Sequence, residues 1–254
     1  MLAQKKIGFI DIETSPCIAT VWRSGKQVVP SCDILTHSKI ICIAYESLDG
    51  KEKFCLSWDK NQCDKKMMEE LVKRLEDVEV LVGHNHANFD IKHINTRIAA
   101  HRLKRLPLMT LDDTLRQSRR HFYLPSHKLE YLLRFFDLDT KLDTSNGLWK
   151  KVLFNNDAKA LKYMMKYCVN DVSTQKKLWL RMYEYVDHTF NVRHYTKNAI
   201  RLSCQACGGK LKTNGTRTTA TQVYKRLRCT KCGRSDILNK RDEKLLLKEG
   251  KLNV

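Results

Sequence analysis

KIGFIDIET, residues 6–14, is a run of β-branched and aromatic residues that ends in two acids, Asp11 and Glu13. Such a run reads as a central strand buried on both faces. Because strand side chains alternate, acids two positions apart project to one face, at a separation suited to sharing a divalent cation. Taken alone, Asp-x-Glu also describes a strand edge or a salt-bridged pair. The apolar company favours the cation. An uncompensated buried polar group costs about 2–7 kcal/mol, and a carboxylate more, unless a cation or hydrogen-bond donors neutralise it.

Outward from this strand, KIICIAYES (39–47) and EKFCLSW (52–58) read as two further strands, which with the first predict an antiparallel meander of three. Asp64–Asp77 carries apolar residues at 67, 68, 71, 72 and 75, the helical spacing, and VEVLVGHN (78–85) returns to strand. Phe89–Arg102 reads as helix, and Leu108–Leu115 as either a strand or a helix start. Lys128–Phe136 reads as a short apolar helix preceded by a Ser-His pair, Ser126 and His127, that can cap it. After a polar stretch at 140–147, Asp157–Val186 places Leu161, Met164, Met165, Cys168, Val172, Leu178 and Met182 along one helical stripe. The order βββαβα followed by helices predicts an α/β domain over residues 1–190. A small basic unit at 198–238 and a basic tail at 239–254 follow.

The 254 residues are 42% hydrophobic and 30% charged, enough for a real core, which excludes a disordered or fibrous chain. The formal net charge is +19, and residues 195–254 hold 15 basic against 4 acidic side chains. That balance favours a polyanionic partner such as nucleic acid over a small neutral substrate, with a solvated basic surface as the plainer reading. No apolar run approaches the ~20 residues of a membrane helix. Ile7–Ile12 is interrupted by Asp11 and lacks a small-residue cleavage site, so the chain is expected to be soluble, unexported and cytoplasmic, with no membrane partner. Six of the ten cysteines (Cys17, Cys32, Cys42, Cys55, Cys63, Cys168) are scattered singly, several in apolar segments where a thiol acts as a small hydrophobe.

Two further constellations join Asp11 and Glu13. GHNHANFD, residues 83–90, is a polar loop at the end of a buried strand, with Asp90 at the opening of the next helix, where it can also serve as a simple cap. Tyr167 and Asp171 are four apart and therefore share a helical face, which also suits a plain intrahelical hydrogen bond. Asp11 and Glu13, then Asn85, Phe89 and Asp90, then Tyr167 and Asp171 resemble motifs I, II and III of the DEDDy 3′–5′ exonucleases. These are the DnaQ-like superfamily with an RNase H-like fold, and the wording is most similar to the exonuclease domains of family B DNA polymerases. The histidine subclass would place His where Lys166 stands. The resemblance spans roughly residues 6–186 and includes Thr110–Leu115 and Ser126–Leu133; the length that remains leaves no room for a polymerase palm and fingers.

The resemblance implies an RNase H-like mixed sheet flanked by helices and two Mg²⁺ or Mn²⁺ ions held by Asp11, Glu13, Asp90 and Asp171, a donor set suited to hard cations. In it Asp11 bridges both ions, Glu13 and Asp171 complete one site, and Asp90 holds the second largely through water, while Tyr167 orients the attacking water. It further implies release of nucleoside 5′-monophosphates from single-stranded 3′ ends, with DNA favoured, Asn85 and Phe89 contacting substrate, and an unidentified polymerase or other replication or repair partner possible. Two other classes stay open: a non-catalytic nucleic-acid-binding adaptor on a nuclease-like scaffold, and a structure-selective endonuclease. His84, His86 and His93 could be read as a transition-metal site, but are better read as two loop hydrogen-bonders near phosphate and one helix residue. Lys39, Arg116, Arg119, Arg120 and Lys141 could track a strand backbone or form a solvated face.

In the C-terminal unit, Cys204-x-x-Cys207 and Cys229-x-x-Cys232, each followed by Gly, have the spacing of two knuckles around one structural Zn²⁺. Two disulfides are the rival reading. The unit resembles a zinc ribbon, and so small a core needs the metal for stability. Between the knuckles, Tyr224, Arg226 and Arg228 alternate along a predicted strand, a pattern suited to base stacking and phosphate contact, or to a protein-docking face.

Overall fold

The computed structural model describes residues 7–138, 147–190, 203–238, 240, 243 and 244. The chain divides into two compact units, one of Lys5–Trp179 and one containing Leu180–Val254. The polar stretch at 140–147, apart from Gly147, the first residues of 198–238 and nearly all of 239–254 lie outside the described residues.

In the first unit β1 is Ile7–Thr14, followed by the short strands β2, Ile18–Ala19, and β3, Ile34–Thr36. β4 is Ile40–Ser47, β5 Lys53–Ser57, β6 Val80–Gly83 and β7 Thr110–Asp113. Five of these form one sheet in the order β5-β4-β1-β6-β7, in which β4 runs antiparallel to both of its neighbours, β1 and β5, while β6 and β7 run parallel to β1. The expected meander of β1, β4 and β5 is therefore present. It is interrupted by the two-stranded β2–β3 hairpin, which has too little apolar periodicity to be read from sequence.

The alternation along β1 sorts the sheet's two faces. Ile10 and Ile12 point into a core cluster with Ile43 and Tyr45 of β4, Met67, Met68 and Leu71 of helix α1 (Lys65–Arg74), and Ile94 and Ile98 of α2 (Asp90–Ala100). On the opposite face, Phe9 meets Trp179 edge-on at 5.5 Å between centroids, so the long helix α6, Ala158–Met182, covers the side that carries Asp11 and Glu13. Each fully buried Ile, Leu, Met or Phe contributes about 1.5–3 kcal/mol. Asp64, fully buried at the start of α1, accepts Arg97 Nε and Nη2 at 2.7 and 2.9 Å, pairs with His101 at 2.7 Å and accepts the Ile40 amide, tying α1, α2 and β4 together.

The ambiguous segment 108–115 is both things at once, strand β7 running directly into α3, Thr114–His121. The switch is Asp113, whose Oδ1 accepts the amides of Leu115 and Arg116 and, across the loop, of Asn85. Helix α4 is Leu129–Phe135, and its N-cap is Lys128 without a side-chain cap, so the expected Ser-His cap is corrected. Ser126 Oγ instead accepts the Lys128 amide at 3.3 Å in the preceding turn, and His127 pairs with Ser118. Helix α5, Leu148–Phe154, completes the unit.

In the second unit, β8 (Leu211–Thr218), β9 (Val223–Cys229) and β10 (Ser235–Leu238) form an antiparallel sheet in the order β10-β9-β8. Among the described residues, the sheet's core cluster is Cys204, Ala206, Leu211, Leu227, Cys229 and Leu238, with Cys207 and Cys232 against it. Within this unit Lys231 pairs with Glu184 at 3.1 Å, and Arg234 pairs with Asp187, which joins the second cysteine knuckle to the residues just after α6.

Candidate metal centres

One carboxylate oxygen each from Asp11, Glu13 and Asp171 lies within 4.8 Å of the other two, so β1 and α6 bring three of the four expected acids to one point. Asp171 is buried, and Asp11 and Glu13 are half-buried. The ladder between β1 and β4 is irregular between Glu13 and Thr14, where the strand ends, and Trp149 of α5 donates to the Thr14 carbonyl at 3.1 Å. α6 also positions the acids. The Cys168 thiol donates to the Asp11 carbonyl at 3.3 Å and approaches its Oδ2 at 3.7 Å, and Gln175 Nε2 reaches Asp11 Oδ1 at 3.4 Å. Neither residue was singled out from sequence as a site residue, although Cys168, Asp171 and Gln175 share the i, i+3, i+7 spacing of one helical face. Tyr167 lies one turn before Asp171 and is half-buried.

Asp90 stands outside the group of three. It is the first residue of α2 rather than its cap, and its Oδ1 accepts the amide of Ile12, the residue between Asp11 and Glu13, at 3.1 Å. Burial pushes its carboxyl up to about 6, against the pull of His86 and the amides and with the help of Asp113. The loop before it is tightly built. His86 is fully buried and its Nε2 pairs with the Leu81 carbonyl at 3.0 Å. A Cβ on Gly83 would lie 2.5 Å from His86 Cβ and Cγ, so only glycine lets the ring fold back beneath the strand end. Asn85 has φ +64°, a left-handed conformation that Asn tolerates better than most residues, and its carbonyl accepts the amides of Asn88 and Phe89. Phe89 is 42% exposed and rests on His93 at 4.6 Å between centroids.

The three histidines are not gathered. His84 pairs with Thr114 at 2.9 Å; His86 is a loop hydrogen-bonder as expected, but its burial removes it from any phosphate, which corrects that part of its reading. Of the basic residues, Lys39 commits its ammonium to the Gln62 carbonyl at 3.1 Å, Arg116, Arg119 and Arg120 are exposed on α3, and Lys141 lies outside the described residues.

All ten cysteines are free thiols, which sets aside the two-disulfide reading. Cys204, Cys207, Cys229 and Cys232 have their sulfurs within 4.8 Å of one another, with Cys204–Cys232 at 3.8 Å and Cys207–Cys229 at 3.5 Å. A tetrahedron with Zn–S bonds of about 2.3 Å has edges of about 3.8 Å. The knuckles match each other: the Gly208 and Gly233 amides donate to the Cys204 and Cys229 carbonyls, each glycine at a positive φ of about 70°. Burial pushes the Cys229 thiol up, but the amides of Cys232 and Lys231 and the neighbouring thiols outweigh it and hold it at about 7. On β9, Leu227 and Cys229 are buried while Arg226 and Arg228 are exposed and Tyr224 half-buried. Arg226 donates Nε to the Asn214 carbonyl at 2.7 Å, opposite a bulge in β8.

The donor sets fit the two kinds of ion differently. Three carboxylates, with the buried Gln175 Oε1 lacking a hydrogen-bond partner among the described residues, suit a hard divalent cation, and four sulfurs suit a soft one. Among the described residues, no helix is long and apolar enough to cross a membrane.

No curated protein matches the chain. Among solved structures, it is similar to the family B DNA polymerase from the hyperthermophilic archaeon Pyrobaculum calidifontis, with a TM-score of 0.53 at 14% sequence identity over 74% of this chain. That is a likeness of fold, and the matched part spans 25% of the polymerase chain. The sequence model of the RNase_H superfamily matches residues 34–183, from β3 through α6, which takes in Asp90, Tyr167 and Asp171. With the five-stranded mixed sheet and acids from its central strand and last helix meeting at one point, the match makes the kinship plain: the chain belongs to the RNase_H superfamily.

Proposed function

We propose that the protein is a 3′–5′ exonuclease that hydrolyses phosphodiester bonds at the 3′ ends of single-stranded nucleic acid, DNA above all, releasing nucleoside 5′-monophosphates. The observation that carries the reading is the convergence of Asp11, Glu13 and Asp171 within 4.8 Å on an RNase H-like sheet. These three carboxylates, with Asp90 beside them, would hold two Mg²⁺ or Mn²⁺ ions, which supply an acidified water and charge stabilisation for the leaving 3′-oxygen. Asp11, pinned by Cys168 and Gln175, would serve as a ligand shared by the two ions. Tyr167 orients the attacking water through its hydroxyl, while Asn85 and Phe89 seat the terminal nucleotide. Asp90 keeps the Ile12 amide satisfied and thereby fixes the strand between the two acids of β1. The domain of residues 1–190 performs the chemistry, and the ribbon at 198–238, closed by Zn²⁺ on its four cysteines, helps grip nucleic acid through Tyr224, Arg226 and Arg228.

The deciding experiment is a time course on 5′-labelled DNA and RNA single strands, linear and circular, with Mg²⁺ or Mn²⁺, comparing the wild type with Asp11→Ala. The expected result is a ladder shortening from the 3′ end of linear strands, absent in Asp11→Ala, with circles untouched. Cleaved circles would make the protein an endonuclease, and binding without metal-dependent cleavage would make it an adaptor.

A further inference from the structure

Between β2 and β3 the chain makes an arm, residues 20–33, closed at its root by the Thr20 amide on the Asp33 carbonyl at 3.0 Å. Every residue from 20 to 32 is exposed. Trp22 is 92% and Val28 94% exposed, with Val21 at 51%. So much bare apolar surface on so few residues marks a binding site. Residues 20–32 include Arg23 and Lys26 and no acid, Asp33 standing at the root. The arm's root lies beside the end of β1, because Ser38 Oγ donates to the Ser15 carbonyl at 2.6 Å and the Ser15 amide to the Lys39 carbonyl at 2.9 Å, two residues past Glu13. A cavity of about 470 Å³ opens there, lined by Cys17, His37 and Ser38 on the arm's side and by Lys92, His93 and Thr96 of α2, the helix that begins with Asp90.

We propose that this arm is a stacking platform for single-stranded nucleic acid. The strand leaving the carboxylates passes its phosphates along His37 and Lys92 and lays a base on the exposed indole of Trp22. An aromatic face flanked by cations suits this partner, since every base has a stacking face and every linkage a charge. A protein or membrane partner would use the apolar residues but gives no role to Arg23, Lys26 and the basic cavity at the root. Trp22 stands nine positions past Glu13, at most about 30 Å of chain, so a strand seated at the carboxylates is within the arm's reach, and the arm is assigned to nucleotides upstream of the terminal one. The proposal rests on the nuclease reading for its substrate but has its own readout.

The test uses the full chain with a single-stranded oligonucleotide of about twenty thymidines, in Ca²⁺ or chelator so that no cleavage is needed. Binding is read by anisotropy of a labelled strand and by intrinsic tryptophan fluorescence. Trp58 and Trp179 are buried and Trp149 is half-buried beside Thr14, so the share of the quench that belongs to Trp22 is the share lost in Trp22→Phe. The wild type is expected to bind with quenching. Trp22→Phe should keep the affinity within about threefold while losing most of the quench, and Trp22→Ala should bind about tenfold more weakly. In Mg²⁺, Trp22→Ala should lose a similar factor in kcat/KM on the long strand and nothing on a dinucleotide. Equal affinity in Trp22→Ala, an unquenched complex, or equal losses on long and short substrates would overturn the proposal, as would a Trp22→Ala variant that changes only the oligomeric state in sedimentation. A wild type that binds with quenching but does not cleave would remove the exonuclease reading and leave the arm's role standing; one that does not bind removes the arm's role as well.

Discussion

Asp11 is held from the α6 side by two residues, and each hold has a different consequence. The Cys168 thiol bonds mainly to its backbone, whereas Gln175 touches the carboxylate itself, at Oδ1. Groups that orient a metal-binding carboxylate in this way commonly account for 10–100-fold in metal affinity or activity. Gln175→Leu keeps the volume and removes the donor, so the Mg²⁺ concentration for half-maximal cleavage should rise at least tenfold while thermal unfolding stays close to the wild type. An unchanged metal titration would show that Gln175 only fills space. At the same scale, the two acids of β1 were legible because apolar neighbours made them conspicuous, and Asp171 because Tyr167 stands one turn before it. Asp90 was legible at the helix start, where the alternative reading as a cap gives way to a bond across to the Ile12 amide.

Among the elements, the join of α1, α2 and β4 depends on one carboxylate. Burial pushes the Asp64 carboxyl up, but Arg97, His101 and the Ile40 amide outweigh it and hold it below the usual range. A group shifted downward contributes its stability above its unfolded value of about 3.9 and loses it as the pH falls through the lower folded value. Asp64→Asn should therefore cost about 3–5 kcal/mol near neutrality, because it leaves a buried Arg97 contact uncompensated. In urea unfolding series from pH 6 to pH 3 the gap between variant and wild type should narrow toward acid; a gap independent of pH would assign the cost to packing alone. β1, β4, β5, α1 and α6 were legible from their periodicities. The arm between β2 and β3 was not, because exposed residues carry no periodic burial signal. The break at Asp113 was visible only as ambiguity, since a strand that runs straight into a capped helix satisfies both patterns over eight residues.

For the whole molecule, the two units make separate demands on metal. Around the second unit's three-stranded sheet, the described residues gather a core cluster of six, too few for independent stability, so the four cysteines should hold one zinc per chain, countable by elemental analysis. Cys204→Ser should lose that zinc and the unit's unfolding transition, and weaken strand binding most at low salt, while cleavage of a dinucleotide persists. Loss of dinucleotide cleavage with the zinc would mean that the first unit does not stand without the second. The first unit has a different property, one of timing. All five strands of its sheet have been made once Asp113 is complete, yet the third carboxylate is 58 residues further on, at Asp171. At 5–20 residues per second, that is about 3–12 s of synthesis. Throughout that interval the nascent chain carries the two acids of β1 without the carboxylate that meets them from α6, so the sheet's strands precede the three-acid cluster. Any truncation before residue 171 leaves that cluster one carboxylate short.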